Sequence, residues 1–126
     1  MPEPDDVVSL AEAWIKGHLP AASRREREHY DWAAERLNAL ASDQPETALA
    51  AIWAICERAD DERVLANLAA GPLEDLLVRH GPAVVAAVEA RARAEAKVRK
   101  LLGAVWRNAI AEPVWLRLRR LAGPSW

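Results

Sequence analysis

The chain has 126 residues and a net charge of −2, and 52% of its residues are hydrophobic and 29% charged. This length suits one domain over residues 1–126, and the composition excludes an intrinsically disordered chain. A single cysteine excludes an intrachain disulfide, and no stretch approaches the roughly 20 apolar residues of a membrane span.

Proline, glycine and capping residues divide the first half of the chain into three predicted helices. The first covers about residues 5–17 and carries an apolar stripe at helical spacing. The second begins near Ser23, with Glu26 as its capping-box partner, and extends to about residue 41. The third, about residues 45–59, is apolar around most of its circumference. We therefore expect the third helix at the centre of the fold.

The second half is predicted to contain shorter helices separated by Gly-Pro pairs. Gly71-Pro72 separates the fourth and fifth helices, and His80 ends the fifth, with Gly81 as its left-handed cap. The predicted ranges are about 60–68, 72–80, 81–92 and 94–111, followed by a last helix that opens at Pro113. These elements predict an all-α fold, a compact irregular bundle of about seven or eight short helices. Helix-repeat-like stacking is the alternative.

The six tryptophans divide into two predicted groups. Trp14, Trp53 and Trp106 lie in apolar stripes and are expected in the core. Apolar periodicity does not account for Trp32, Trp115 and Trp126. Trp115 is the preferred interface residue, because tryptophan beside arginine is typical of binding hot spots. The arginines in question are Arg117, Arg119 and Arg120.

Charge is distributed unevenly along the chain. Residues 1–62 carry 14 acidic and 6 basic side chains, a net charge of −8, and residues 63–126 carry 5 and 11, a net charge of +6. Four basic residues follow spacings of four, three and seven, which predicts that they share one helix face: Arg93, Lys97, Lys100 and Arg107. Such a stripe could bind phosphates or an acidic protein, or form a solvated helix surface. It could also pair with the acidic first half.

No catalytic, nucleotide-binding or zinc motif is present, so the sequence leans against an enzyme and predicts no cofactor and no metal. Cys56 lies in an apolar run and is expected to be a small buried hydrophobe. The acidic first residues lack the basic start of a secretory signal, and we expect a cytoplasmic protein.

The segment Ala69-Ala70-Gly71-Pro72-Leu73-Glu74-Asp75-Leu76-Leu77, followed by His80-Gly81, carries a resemblance to a known family. With Val105-Trp106 and Val114-Trp115, it resembles a small bacterial family of helical domains of unknown function over roughly residues 50–118. The resemblance implies a helical fold and a bacterial origin. It also indicates Glu74, Asp75 and His80 as a candidate functional cluster.

Three functions remain open at this point. The leading hypothesis is a protein-binding module of immunity or regulatory type, which uses a charged face that contains tryptophan. The second is a small ligand-binding or enzymatic domain centred on Glu74, Asp75 and His80. The third is nucleic-acid binding through the basic stripe. Association with a second copy of the chain is compatible with all three.

Overall fold

The computed structural model describes the backbone of residues 4–123 and the side chains of residues 6–123. Within this range every regular element is helical and there is no strand, which confirms the all-α prediction. The elements are α1 (Pro4–His18), α2 (Arg24–Asp43), α3 (Pro45–Arg58), α4 (Glu62–Leu68), a π-helical turn (Ala69–Leu73), α5 (Glu74–Ala94), α6 (Ala96–Gly103) and α7 (Glu112–Arg119).

The start of α2 is fixed by the capping box that the sequence predicts. The Ser23 hydroxyl accepts a hydrogen bond from the Glu26 backbone N–H at 3.1 Å. The Glu26 carboxylate accepts one from the Ser23 backbone N–H at 3.2 Å. These bonds satisfy two backbone donors that have no partner within the helix, and they lower the pKa of the Glu26 carboxyl. The boundary between α1 and α2 is therefore encoded locally.

Helix α3 occupies the centre of the fold, as predicted. Its buried residues are Ala48, Leu49, Ala51, Ile52, Trp53, Ala54, Ile55 and Cys56. Both α1 and α5 pack against it, and α1 also packs against α2. Burial on nearly all sides explains why this segment is apolar around most of its circumference.

The expected break at Gly71-Pro72 is wrong. The chain instead continues from α4 into α5 through the π turn, where the Glu74 backbone N–H bonds to the Ala69 carbonyl five residues earlier. Proline lacks an N–H and its ring crowds the carbonyl four residues earlier in an α-helix. The wider winding of a π turn accommodates Pro72 without ending the helix.

The predicted boundary at His80 is a kink inside one long helix rather than a helix end. His80 has φ −134° and ψ 27°, and α5 continues beyond it through Pro82. The expected left-handed conformation of Gly81 is also wrong, since no described glycine has a positive φ. Gly81 is instead buried against α7, where an added Cβ would lie 3.0 Å from Cγ2 of Val114. Glycine is required here by close packing, not by backbone conformation.

The predicted seventh helix, residues 94–111, is wrong at both ends. Glu95 is extended and separates α5 from α6, and α6 ends at Gly103. Residues 104–111 form a loop in which Asn108 has φ 40°, a left-handed conformation that asparagine tolerates. Trp106 lies in this loop and is 72% exposed, so its predicted core position is wrong. Trp14 and Trp53 are buried as predicted.

The remaining contacts close the bundle. Helix α5 packs against α3, α6 and α7, while α1 reaches α4 and α2 reaches α5. These contacts give the compact irregular arrangement that the sequence predicts. None of the helices that the structure describes is both long enough and apolar enough to cross a membrane.

Candidate functional site

The structure does not join Glu74, Asp75 and His80 through a shared hydrogen bond or ion pair. Glu74 Oε1 accepts a hydrogen bond from Nδ2 of Asn108 in the loop 104–111. Asp75 Oδ1 accepts one from Nε of Arg79 at 3.1 Å, one helical turn along α5. The two carboxylates therefore have separate partners, and neither is paired as an acid or base with His80.

His80 has a structural partner in a different helix. Its Nε2 donates to the carbonyl oxygen of Ser42 at 2.9 Å, and Ser42 lies in the last turn of α2. The carbonyl groups of a last turn lack partners within the helix, so His80 caps α2. The sequence predicted a histidine at a helix C-terminus but assigned it to its own helix. In the structure it fastens the kink of α5 to α2.

The basic stripe is not a single helix face. Arg93 lies in α5, Lys97 and Lys100 lie in α6 after the extended Glu95, and Arg107 lies in the loop 104–111. Lys97 Nζ donates to the carbonyl of Ala59 at 2.7 Å, beyond the end of α3. The predicted alignment is wrong, because the pattern was projected onto a helix that ends at Gly103.

Other basic residues hold elements of the fold together. Arg91 donates to Glu57 and to Glu95, and its guanidinium lies 5.3 Å from the ring centroid of Trp53. Arg99 donates to the carbonyl of Ala92 at 2.8 Å. The ion pair between Arg91 and Glu57 links the basic half to the acidic half. Some of the opposite charges of the two halves therefore pair with each other within the molecule.

The loop 104–111 holds Trp106 out of the core although the loop itself is anchored. Val105 and Ile110 are buried on either side of Trp106, 5% and 2% exposed. The Ile110 backbone N–H bonds to the Arg107 carbonyl at 2.8 Å, and the Asn108 side chain reaches Glu74 in α5. Trp106 is therefore exposed in a loop that is anchored on both sides of it.

Helix α7 carries the predicted interface residues Trp115, Arg117 and Arg119, and Arg120 follows its last residue. Trp115 is half-buried against the core, and the Arg119 guanidinium lies 5.7 Å from its ring centroid. Arg117 donates to Glu89, the one buried charged side chain among the described residues. That hydrogen bond lowers the pKa of the Glu89 carboxyl below its ordinary value. Leu116, between these residues, is 51% exposed.

A cleft of about 440 Å³ opens where α1, α2 and the π turn meet. On the α1 side, His18 stacks on Trp14 with ring centroids 3.8 Å apart. Asn38 from α2, Asn67 from α4 and Asp75 from α5 add polar groups to its lining. No pattern in the sequence indicates this cleft, because its residues come from five separate elements. Of the predicted functional cluster, only Asp75 lines it.

Neither an activated cysteine nor a metal cluster is present in the described part of the chain. Burial raises the pKa of the Cys56 thiol, so the thiolate needed for nucleophilic attack is disfavoured. No group of three or more His, Cys, Asp or Glu residues within residues 6–123 could hold a metal ion. Trp126 lies outside the described residues.

These features define the class of the protein as a small all-α domain. The chain belongs to a family of unknown function (DUF6869), and the match covers residues 21–124. The resemblance to a helical family of unknown function is thereby confirmed, and it extends beyond the segment 50–118 on which it was based. No curated protein and no solved structure matches the chain.

Proposed function

We propose that this domain is a protein-binding module of the bacterial cytoplasm, and that the loop 104–111 together with α7 binds an acidic protein partner. We call this surface the tryptophan segment, residues 104–120. The observation that carries the proposal is Trp106, which is 72% exposed in an anchored loop. A tryptophan side chain held in water leaves a large apolar area unburied, which a partner would remove from solvent.

The composition of the tryptophan segment supports the same interpretation. Trp106 and the half-buried Trp115 are accompanied by the half-exposed Leu116. Tryptophan and arginine are the residues most enriched among those whose truncation weakens protein complexes. The segment places both residue types on a short helix and the loop before it, with α7 fixed to α5 by the pairing of Arg117 and Glu89. A fixed surface loses less conformational entropy on binding.

The charge of the segment favours an acidic partner. It contains four arginines and one glutamate, Glu112. Arg117 is paired with Glu89, whereas Arg107 and Arg120 are exposed and Arg119 lies against the Trp115 ring. Complementary charge accelerates association and selects among partners more than it adds affinity. We therefore expect a partner whose binding surface is rich in Asp and Glu.

The proposed location in the cytoplasm is supported by the state of the cysteine. The only cysteine of the chain, Cys56, is buried and unpaired. A domain that needs no disulfide suits the reducing bacterial cytoplasm.

The test is capture of partners by the purified domain in an extract of its host, at low and moderate salt, with Trp106→Ala and Trp32→Ala as matched variants. Trp32 is 47% exposed but lies in α2, away from the tryptophan segment in sequence and in element. We expect one protein whose binding, remeasured with purified components, falls about 30-fold or more in Trp106→Ala, as at other hot spots. Trp32→Ala should bind as the wild type does.

Three outcomes contradict the proposal. Equal loss of binding in both tryptophan variants would indicate general destabilisation rather than a binding face. Recovery of nucleic acid alone, with binding that falls steeply as salt rises, would favour the nucleic-acid hypothesis. A concentration-dependent dimer that Trp106→Ala dissociates would show that a second copy of the chain covers this surface.

A further inference from the structure

We propose that the cleft between α1, α2 and the π turn is a binding site for a small neutral ring compound that carries N–H or O–H donors. The inference concerns different residues from the tryptophan segment and does not depend on the proposed protein partner. A volume of about 440 Å³ lies within the range of roughly 300–1,000 Å³ typical of small-molecule sites. A separate cleft of about 320 Å³ shares His18, Ala34 and Asn67 with it and is also lined by Arg27 and Asp31.

The polar groups of the cleft are mainly acceptors. His18 Nδ1 donates to the Trp14 carbonyl at 2.7 Å, which leaves Nε2 as the ring nitrogen available to a ligand. Asp75 adds a carboxylate. No described residue forms a hydrogen bond with the side-chain amide of Asn38 or Asn67, each of which both donates and accepts. A ligand that offers several donors and at least one acceptor satisfies this set.

The charge of the cleft favours a neutral ligand. None of the described residues that line the 440 Å³ cleft is a lysine or arginine, so an anion would find no counter-charge there. Its one carboxylate, Asp75, is already paired with Arg79 at 3.1 Å, so a cation would compete with an existing ion pair. A neutral molecule avoids both costs.

The apolar walls favour a ring. The apolar lining comes from Leu37 and Ala41 of α2, from Pro72 of the π turn and from Trp14, whose ring stacks on that of His18. Flat apolar faces of a nucleobase or of a sugar ring fit surfaces of this kind. A nucleobase and a sugar are both neutral rings that carry N–H or O–H donors, and the experiment distinguishes them.

The π turn shapes the site. It inserts its extra residue where Gly71 and Pro72 line the cleft. π turns are rare and occur frequently at functional sites, because they redirect side chains within a helix. At Gly71 an added Cβ would meet no atom within 4 Å, so the backbone leaves open space on this side.

That open space provides a blocking variant that is expected to fold. Gly71→Leu adds a side chain at a residue that lines the cleft, its Cβ meets no atom within 4 Å, and leucine favours a helical backbone more than glycine does. The matched control is Ala86→Leu, since Ala86 is exposed in α5 and does not line the cleft. Asn67→Ala removes one amide without filling the cleft. Unfolding midpoints of all three verify that each variant is folded.

The experiment is ligand-observed NMR followed by calorimetric titration of the wild type. The probes are nucleosides, nucleobases, hexoses and nicotinamide, with nicotinate as the anionic match to nicotinamide. We expect at least one neutral probe to bind, and nicotinate not to bind. Gly71→Leu should weaken binding about tenfold or more, Asn67→Ala about threefold to tenfold, and Ala86→Leu less than twofold. Binding of nucleosides or nucleobases would identify a nucleobase as the ligand, and binding of hexoses would identify a sugar.

Two results would overturn the proposal. One is failure of every neutral probe to bind the folded wild type. The other is a bound probe whose affinity is unchanged in Gly71→Leu, because the ligand would then lie elsewhere. Neither result bears on Trp106 and the protein partner.

Discussion

The layer formed by α1, α2 and α3 and the C-terminal segment from α6 to α7 are both helical, yet they are held in place differently. In α3 the run from Ala51 to Cys56 is buried without a break. In α7 only Val114 and Leu118 are buried. The first region is stabilised by continuous burial of apolar surface, and the second is attached at its edge.

The attachment of the C-terminal segment depends on a few specific contacts. Val114 packs against the bare backbone of Gly81, and Arg117 donates to Glu89. Asn108 donates to Glu74 at the other end of α5. A region fastened in this way can be perturbed without unfolding the rest, and its outer face is the surface that we propose binds a partner. Variants of Ile52, Gly81 and Glu89 test this difference.

Truncation in the centre of α3 should have the largest effect. Ile52 is fully buried, and Ile52→Ala leaves a cavity that the surrounding helices fill only in part. We expect the free energy of unfolding to fall by about 2–5 kcal/mol. Urea denaturation measures it. The control is Leu116→Ala in α7, which is half-exposed and should change the free energy by less than about 0.5 kcal/mol. Equal losses in the two variants would refute the comparison.

Overpacking at Gly81 should loosen α7 selectively. An added side chain meets both methyl groups of Val114, at 3.0 and 3.2 Å from the ideal Cβ position. We expect Gly81→Leu to cost about 1–3 kcal/mol. Hydrogen exchange should accelerate in α7 while α1–α3 stay protected. Gly71→Leu is the matched control, because that position faces open space. Uniform acceleration across all helices would contradict an edge attachment.

The pairing of Glu89 and Arg117 should give a pH dependence confined to acid. The hydrogen bond from Arg117 lowers the pKa of Glu89 in the folded state, so the unfolded state binds this proton more readily. The stabilisation is complete above the ordinary glutamate pKa of about 4.3 and is lost as the pH falls through the lowered value. Wild type should therefore exceed Glu89→Gln in stability at about pH 7 and approach it at about pH 3. A difference that is constant with pH would contradict this assignment.

The sequence predicted the first region well because its boundaries are local. Ser23 and Glu26 fix one helix start through hydrogen bonds three residues apart, and Pro45 opens α3. The apolar circumference of α3 predicts its central position without knowledge of its neighbours. These signals need no information about tertiary contacts.

The second region was predicted less well because tertiary contacts determine it. The apolar spacing of α6 continues into Val105 and Trp106, and nothing in the periodicity marks the end at Gly103. The loop depends on Asn108 reaching Glu74, a contact between residues 34 positions apart. Asn108 and Pro113 are residues that favour turns, and they are a weak sequence signal for the loop 104–111.

The candidate sites also differ in whether local sequence or tertiary contacts determine them. The position of Trp115 on a short helix with Arg117 and Arg119 follows from local sequence alone. The cleft brings together His18, Asn38, Asn67 and Asp75, which no sequence pattern relates. Likewise, Glu74 and Asp75 are adjacent in sequence but have different partners. The cluster of these two residues with His80 was an expectation from the family resemblance, and the three side chains share no hydrogen bond or ion pair in the structure.

The π turn at Ala69–Leu73 has a consequence for how the length of this chain can vary among relatives. In an α-helix each residue advances the face by about 100°, so a one-residue deletion rotates every later side chain away from its neighbours. A π turn holds one residue more than an α turn, and removal of that residue restores ordinary winding with the flanking faces in phase. We therefore expect length differences of one residue to be tolerated at this turn and at no other point between Glu62 and Arg79. A relative that has lost the residue would keep the bundle but not the shape of the cleft.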